Sequence, residues 1–322
     1  MQSGHPNSAA NDRDSPLWSS TLMLRLMSTP QVVLVSGCSG GFGFRAAREI
    51  ARRGHLVFAG FRDPAGRNAG RAQELASFAQ KAHAHLEVIK LDVRDEQSVT
   101  DAIDYVVARS DGRLDALVST AAYSVMGPLE ACRPEQLLAE LDTNVVGALR
   151  LFRAVLPVMR ARNRGRILQV TSGLGRVAVP FMGPYALSAW AQECFAEVLF
   201  YEAAAFGVEV GILEPSAYHT DLGGPTVKAV GDADRLPYYQ DQLVAFAEKL
   251  QSTDRGAGDP EEVAVAVADA LEAASIPLRT PIGESARELV RLRAESTTGE
   301  FQRTIIDRTG LAPFVSRKPT DA

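Results

Sequence analysis

A short apolar strand that runs directly into a glycine-rich turn and a helix constrains this chain more than any other feature. The strand is "VVLV", residues 32–35, the turn is "SGCSGGFG", residues 36–43, and the helix continues to Gly54. Four residues without a polar side chain suit a strand that is buried on both faces of a sheet. The turn therefore follows the carboxyl end of a central strand.

Three glycines of this turn are spaced for separate tasks. Gly37 permits a tight turn, Gly41 lets backbone amides approach a pyrophosphate, and Gly43 allows the helix to lie close to the sheet. The helix N-terminus adds unpaired N–H groups and a partial positive charge. A glycine cluster by itself marks loops of any kind. Its position between a strand and a helix predicts a dinucleotide-binding turn.

The alternation of strand and helix continues along the chain. Short apolar runs predict further strands at 55–61, 85–93, 114–120, 166–172, 208–215 and 277–283. Helical periodicity separates them, most clearly at 96–109, 134–162, 185–206 and 260–274. This pattern predicts one α/β domain, residues 30–311, with about seven parallel strands doubly wound by helices on both faces. In such sheets ligands bind beyond the carboxyl ends of the strands.

The residues that end the second and third strands bear on the cofactor. A carboxylate after the second strand would hold the ribose hydroxyls of NAD, but this chain has Phe61 and Arg62, followed by Asp63. A guanidinium pairs with the 2′-phosphate of NADP, so NADP(H) is favoured over NAD(H). The alternative is an arginine that only faces solvent. Asp92, after the third strand, is either an acceptor for the adenine amino group or an ordinary helix cap.

Composition excludes several classes of protein. The 322 residues carry a net charge of −5, without the basic footprint of a nucleic-acid binder. No apolar run reaches the roughly 20 residues that span a bilayer, and Cys38, Cys132 and Cys194 are too scattered for a disulfide framework. We therefore expect a cytoplasmic protein without a metal site or membrane span. Residues 1–29 are expected to be a disordered or mis-started extension, and residues 312–322 a tail.

These motifs resemble the short-chain dehydrogenase/reductase family, whose Thr-Gly-x-x-x-Gly-x-Gly pattern is met from Ser36 to Gly43 with one conservative change. The segments "GCSGGFG", "FRD", "EPSAYHTD" and "PLRTPIGESA" look most like the branch of hydroxysteroid and retinol dehydrogenases. The resemblance implies a Rossmann-like fold that binds NADP(H). The cofactor residues that it implies, together with those argued above, are Ser36, Gly37, Ser39, Gly41, Phe42, Gly43, Arg62, Asp92, Val93, Ser119, Ala121 and Thr220.

The family works with asparagine, serine, tyrosine and lysine, and three of the four have matches here. The resemblance makes Asn144 the residue that kinks a helix and holds a water, Ser172 the one that positions the substrate oxygen, and Tyr185 the proton exchanger. The fourth match fails, because Ala189 stands where the family has its lysine. Residues four apart share a helix face, so a lysine there would lower the pKa of the phenol. Alanine has no charge with which to do so.

Other departures surround this position. The family's Asn-Asn-Ala-Gly after the fourth strand is Ser-Thr-Ala-Ala at 119–122, and its Pro-Gly after the sixth strand is Pro-Ser at 215–216. Gln192, Arg176 and His219 are candidates to stand in for the lysine, and the sequence leaves the choice open.

Two longer stretches bear on the substrate and on assembly. The resemblance makes residues 217–259 a segment that folds over the substrate, and their apolar and aromatic content favours a hydrophobic one; a surface helical hairpin is the alternative. The helices at 134–162 and 185–206 carry more apolar residues than one sheet face covers. Because the family pairs these helices across a two-fold axis, a homodimer or homotetramer is expected.

Three functions remain open at this point. The first is an NADP(H)-dependent oxidoreductase that interconverts a hydrophobic secondary alcohol and a ketone, or an aldehyde. The second is a dinucleotide-binding sensor or partner subunit with little redox activity. The third uses Ser172 and Tyr185 for lyase or isomerase chemistry. Ala189 is the residue that separates the first function from the others.

Overall fold

The computed structural model describes residues 29–216, 218, 226–228, 236–254 and 258–315. The chain divides into two compact units, Met1–Pro30 and Gln31–Ala322, and the fold below is that of the second. The expected extension lies outside the described residues except for its last position, and the expected tail does so from residue 316. None of the helices in the described ranges has the length and apolar character needed to cross a membrane.

The strands build one large parallel sheet. In chain order they are β1 (Val32–Val35), β2 (Leu56–Phe61), β3 (Leu86–Lys90), β4 (Ala116–Ser119), β5 (Ser124–Met126), β6 (Gly165–Val170), β7 (Val208–Pro215), β8 (Thr226–Lys228) and β9 (Arg279–Ile282). The main sheet has seven strands, all paired in parallel, in the order β3-β2-β1-β4-β6-β7-β9. The predicted Rossmann-like sheet is confirmed, and strands β5 and β8 form a separate parallel pair.

Helices connect the strands and cover the sheet. They are α1 (Gly41–Arg52), α2 (Ala69–Ala82), α3 (Glu96–Arg109), α4 (Pro134–Leu141), α5 (Gly147–Ala161), α6 (Gly183–Ala203), α7 (Gln240–Asp254), α8 (Glu261–Glu272), α9 (Glu284–Glu295) and α10 (Thr298–Arg308). The predicted helix over 134–162 is present as α4 and α5, which a π-helical turn, Asp142–Val146, joins without a break. In that turn the Gly147 amide bonds to the Asp142 carbonyl, five residues back.

Two apolar layers lie on opposite faces of the sheet. Helices α3, α5 and α6 contribute to one, for example through Ile103, Leu151 and Leu199. Helices α1, α2 and α8 contribute to the other, for example through Ile50 and Val267. Apolar side chains on both faces explain why β1 and β4 are buried along their whole length. The carboxyl ends of the parallel strands therefore meet at one edge of a rigid sheet.

The segment predicted to fold over the substrate is described in part. Within 217–259 the structure has β8, a 3₁₀ turn at Leu236–Tyr239, and α7. Strand β8 pairs with β5, a short strand that the sequence reasoning did not predict and that follows β4 by four residues. The described part of this segment thus pairs with backbone next to the carboxyl edge of the sheet.

Candidate active site

The glycine turn is held against the end of β4 by Thr120. The Thr120 hydroxyl donates to the Ser36 carbonyl over 2.7 Å, and the Thr120 amide donates to the Ser36 hydroxyl over 3.1 Å. A Cβ at Gly43 would lie 2.5 Å from Thr120 Oγ1. A Cβ at Gly37, where φ is +73°, would lie 2.8 Å from the backbone of Ala121. Both glycines therefore have a steric reason to lack a side chain.

Gly41 opens α1 and faces free space. Its φ is +54°, and no atom lies within 4 Å of the place where its Cβ would stand. Gly40 before it offers no side chain to cap the helix, and the first turn of α1 holds no acidic residue. Amides at a helix N-terminus that lack a cap bind anions well, so this cradle fits the pyrophosphate of a dinucleotide.

Three arginines gather where β2 and β3 end. They are Arg62, Arg67 and Arg94. Burial is the main cause that lowers the pKa of the Arg62 guanidinium, and the nearby charges of Arg67 and Arg94 lower it further. Two carboxylates lie near these three guanidinium groups, so the net charge of the cluster stays positive. Asp63 accepts from the backbone amides of residues 66 and 67 over 3.0 and 2.8 Å, and Asp92 forms a two-pronged ion pair with Arg94. The edge is thus cationic and suits a phosphate.

One alternative for Asp92 is wrong. The cap of α3 is Asp95, whose carboxylate accepts from the amides of Gln97 and Ser98. The Asp92 carboxylate faces Arg94 instead, and that guanidinium holds the pKa of Asp92 below its usual range. A carboxylate three residues before the first turn is too far back to reach those amides, which explains the error.

The other predicted cofactor residues lie around the same edge or outside the described residues. The described ones are Ser39, Phe42, Val93, Ser119 and Ala121. Phe42 is half-buried and packs edge to face against Tyr218, with ring centroids 5.8 Å apart. The Val93 side chain is buried against Gly147, where a Cβ would meet it at 2.8 Å. Thr220 lies outside the described residues.

Tyr185 stands in the first turn of α6, beside Ser172 at the end of β6. Burial raises the pKa of the Tyr185 phenol, a hydrogen bond with the Ser172 hydroxyl lowers it, and the charge of Glu140 raises it. The Ser172 hydroxyl also accepts from the Leu174 amide over 3.2 Å, which fixes its position. The structure brings the predicted serine and tyrosine together. One turn further on, Ala189 is 1% exposed.

Asn144 lies in the π-turn and is fully buried. Its side-chain oxygen accepts from the Tyr123 amide over 3.0 Å, and its Nδ2 donates to the Tyr123 carbonyl over 2.8 Å. The same Nδ2 lies 2.9 Å from the hydroxyl of Ser188 on α6. The structure has a π-turn where the kink was predicted, and Asn144 ties the turn after β4 to the helix that carries Tyr185.

The three residues that were candidates to replace the missing lysine differ in their surroundings. The Gln192 amide donates to the main-chain carbonyl of Asn144 over 2.7 Å. Arg176 pairs with the buried Glu214 at 3.3 Å, so its charge is engaged by that carboxylate. His219 lies outside the described residues. The main-chain carbonyl of Asn144 is therefore bonded by a neutral amide.

Glu140, Thr120 and Tyr123 are site residues that the sequence reasoning missed. Glu140 is the last but one residue of α4, is fully buried, and accepts from the Val125 amide over 3.1 Å. A signal for it existed, since Glu140 precedes Asn144 by one helical turn and so shares its face. For Thr120 and Tyr123 the decisive contacts are to distant backbone, which no local pattern reveals.

Comparison with known proteins agrees with this geometry. The family model described as short chain dehydrogenase matches residues 31–230. Human 17-beta-hydroxysteroid dehydrogenase type 1 is 34% identical over 285 residues, which cover 86% of this chain and 85% of that protein. Retinol dehydrogenase 8 of Bos taurus is 31% identical over 288 residues, which cover 86% and 89%. A crystal structure of a short-chain dehydrogenase from Streptomyces avermitilis superimposes with a TM-score of 0.71 at 27% identity, covering 87% of this chain and 96% of that one.

The chain belongs to the short-chain dehydrogenase/reductase family. The predicted likeness to the hydroxysteroid and retinol dehydrogenase branch is confirmed by the first two relatives. The protein is an oxidoreductase that acts on CH–OH groups, and its cofactor is a nicotinamide dinucleotide.

Proposed function

We propose that the protein interconverts a hydrophobic secondary alcohol and the corresponding ketone, or an aldehyde, with NADP(H) as its cofactor. The observation that carries this proposal is the contact between Ser172 and Tyr185 at the same sheet edge as the glycine cradle. A hydroxyl that fixes an oxygen and a phenol that exchanges a proton are the two groups that alcohol oxidation needs beside a hydride acceptor. The nicotinamide, when bound, supplies or accepts that hydride.

Ser172 and Tyr185 have different roles in the proton transfer. Ser172 holds the substrate oxygen, while Tyr185 donates a proton to it during reduction and accepts one during oxidation. Because burial raises the pKa of Tyr185, the phenol persists to high pH, and reduction is favoured over a wider range of pH. Oxidation needs the phenolate and therefore accelerates toward alkaline pH.

The arginine cluster supports NADP(H) over NAD(H). A 2′-phosphate near Arg62 and Arg67 would offset the repulsion between these two guanidinium groups, while Arg94 is paired with Asp92. The carboxylates that would otherwise serve a ribose diol, Asp63 and Asp92, are bonded to loop amides and to Arg94.

Apolar groups near Tyr185 support a hydrophobic substrate. Phe181, four residues before the tyrosine, packs edge to face on Phe246 of α7, with centroids 5.3 Å apart. Leu129 lies 3.3 Å from the place of a Cβ at Gly183 and is 69% exposed. The relatives whose names refer to hydroxysteroid and retinol point to substrates of the same character.

The function is tested by turnover. Reduction is measured with NADPH and either a 17-ketosteroid or retinal. Oxidation is measured with NADP⁺ and the two corresponding alcohols. Both are followed from about pH 6 to about pH 10. We expect NADPH oxidation with at least one carbonyl and its loss in Tyr185→Phe. Binding of NADPH without turnover of any of them, unchanged by Tyr185→Phe, would favour the sensor or partner-subunit alternative.

Cofactor preference is tested separately by fluorescence titration. Arg62→Ala should weaken NADPH binding by roughly 10- to 100-fold, as for the loss of one charge-assisted hydrogen bond of about 1.5–3 kcal/mol, and leave NADH binding nearly unchanged. Arg291→Ala, at an exposed arginine of α9 that pairs with Glu295, is the matched control. Equal affinities for the two cofactors in the unaltered protein would remove the argument.

An apolar stripe on α6 supports the proposed homodimer or homotetramer. Leu187, Trp190, Val198 and Tyr201 recur at helical spacing on α6 and are between 46% and 64% exposed. A second copy of the same stripe would cover them across a two-fold axis. Light scattering should give at least the dimer mass, and Trp190→Glu should lower it; a monomer at micromolar concentration would contradict the proposal.

The three thiols support the proposed cytoplasmic location. Cys38, Cys132 and Cys194 are all unpaired, and Cys38 is buried. Free thiols persist in a reducing compartment. Fractionation of the producing cells, with the protein followed by antibody, tests this placement.

A further inference from the structure

Glu140 is a buried acid without a cation. Its side chain is 0% exposed, and it forms no ion pair with any residue that the structure describes. It lies between the π-turn and the first turn of α6, next to Asn144 and Ser188. Burying an ionised carboxylate with so little compensation is costly, so its protonation state needs an account.

The hydrogen bonds to one oxygen of Glu140 are long. Oε2 accepts from the Val125 amide over 3.1 Å. Oε1 has only longer contacts, 3.4 Å to Asn144 Nδ2 and 3.5 Å to Ser188 Oγ. The hydrogens of both groups have closer acceptors, because Asn144 donates to the Tyr123 carbonyl and to Ser188, while Ser188 donates to the Tyr185 carbonyl over 2.9 Å.

A proton on Oε1 completes this network. The neutral acid can turn its O–H toward Ser188 Oγ, 3.5 Å away, which also accepts from Asn144 and donates to the Tyr185 carbonyl. Burial raises the pKa of Glu140 to about 7, although the Val125 amide and the Ser188 hydroxyl oppose the rise. The group therefore changes charge near neutral pH.

The groups that face Glu140 are phenols and a thiol. Tyr185 lies on α6, Tyr123 between β4 and β5, and Cys132 just before α4, and the charge of Glu140 contributes to a raised pKa in all three. Arg94 and Asp142 act on Tyr123 from the far side, with opposite effects. For Tyr185, Glu140 is the one charged group that acts within the described residues.

We propose that Glu140 is a positioning residue for the reaction of Tyr185. As the neutral acid it holds Ser188, and with it the first turn of α6, against the π-turn; once ionised, it keeps Tyr185 in the phenol form. Ionisation of one buried carboxyl thus opposes alcohol oxidation and spares reduction. This inference rests on the proposed proton exchange by Tyr185.

The first test follows Tyr185 itself and needs no substrate. The phenolate absorbance of Tyr185 is obtained as the difference between the unaltered protein and Tyr185→Phe, and again between Glu140→Gln and the double variant. Glutamine mimics the neutral acid, since its oxygen accepts from Val125 and its amide donates to Ser188. We expect Tyr185 to titrate at lower pH in Glu140→Gln. Coincident titrations would overturn the proposal.

The matched control is Glu214→Gln, at another buried acid whose pKa is raised by burial and by Glu193. Glu214 does not act on Tyr185, so the tyrosine titration should stay in place. A shift of equal size in both variants would mean a general effect of removing a buried charge, and would also overturn the proposal.

If the Glu140→Gln variant does not fold, a second measurement that does not use it tests the proposal. Glutamate labelled with ¹³C at the side-chain carboxyl is introduced into Glu214→Gln, which removes the other buried acid with a raised pKa. We expect one carboxyl resonance to titrate near pH 7. If every glutamate titrates in the ordinary acidic range, Glu140 is not the neutral acid that the proposal requires.

Turnover separates this inference from the proposed function. In Glu140→Gln the rate of alcohol oxidation with NADP⁺ should rise several-fold at neutral pH and its pH profile should move to lower pH, whereas a purely structural role would only lower the rate. Absence of turnover in every variant would refute the proposed function, while the tyrosine titration would still decide the coupling between Glu140 and Tyr185.

Discussion

The two ends of the candidate site carry opposite charges. At the cofactor end, Arg62, Arg67 and Arg94 lie together beyond β2 and β3, and the N-terminus of α1 has no side-chain cap. At the tyrosine end, the group that acts on Tyr185 is the acid Glu140, and the position one turn after the tyrosine is an alanine. A cationic end holds phosphates whatever the chemistry, whereas an end without a cation changes the proton affinity of the reacting phenol.

The part of this site that binds the cofactor and the part that reacts with the substrate depend on different structural features. The cradle depends on backbone shape and on exposed cations at strand ends. The tyrosine end depends on a buried network that joins α4, the π-turn and α6. Four substitutions test whether the two ends of the site act separately, and they follow in order of decreasing expected effect.

The largest effect is expected for Tyr185→Phe. Loss of the proton exchanger should lower turnover by about 10²–10⁴-fold and leave NADPH affinity unchanged, because the cradle is untouched. Steady-state rates and fluorescence titration measure the two. Tyr201→Phe, an exposed tyrosine on the same helix, is the control and should behave as the unaltered protein. A parallel loss of NADPH affinity would show that the two ends are not separable.

Glu140→Gln should stabilise the protein increasingly as pH rises. The ordinary carboxyl pKa is 4.5 and that of folded Glu140 about 7, so below 4.5 the acid is neutral in both states and costs nothing. Between these values the folded protein must either hold a proton that the unfolded chain releases or bear a buried charge. The advantage of the variant should therefore grow from pH 4.5 to 7 and level off at about 3 kcal/mol.

Urea unfolding of both proteins across this range measures the difference. Glu295→Gln, which removes an exposed charge on α9, should change the free energy of unfolding by no more than about 0.5 kcal/mol at any pH. A Glu140→Gln difference that stays constant with pH would contradict a change of charge at this site.

Gly43→Ala tests the steric basis of the cradle. The new methyl would stand 2.5 Å from Thr120 Oγ1 and 2.7 Å from the Gly37 carbonyl, so we expect a loss of about 1–3 kcal/mol of unfolding free energy together with weaker NADPH binding. Gly70→Ala is the control, because a Cβ there meets nothing within 4 Å. On α2 it should be neutral or stabilising by up to about 1 kcal/mol. Equal effects at the two glycines would refute the close contact.

The smallest effect is expected for Ala189→Lys. A cation one turn after Tyr185 opposes the influence of Glu140 and should raise alcohol oxidation at neutral pH; each tenfold gain corresponds to about 1.4 kcal/mol. The gain is limited because Ala189 is buried and the lysine stem needs space. Ala189→Met supplies a stem without a charge. If methionine and lysine change the pH profile alike, charge is not the reason.

The order of strands and helices along the chain located the sheet and the cradle, and the family resemblance supplied Ser172 and Tyr185. Predicted strand and helix bounds agree within a few residues, and β7 (Val208–Pro215) and α3 (Glu96–Arg109) agree at both ends. The sequence did not predict β5, since three residues carry too little alternation to be recognised. Nor did it predict the contacts of Glu140 and Gln192, which depend on how two helices pack.

The π-turn has a consequence for the spacing of the chain between α4 and α5. Each residue of a regular helix rotates the chain by about 100° around the helix axis, so deleting Thr143 would allow a continuous α-helix in which one flanking helix is rotated by about that angle. Glu140 and Asn144, on either side of the deletion, would keep their helical character but lose their common register with Ser188. The length of this segment is therefore fixed by the site and not by the helices, so a one-residue deletion here is expected to be far more harmful than most substitutions at its exposed positions.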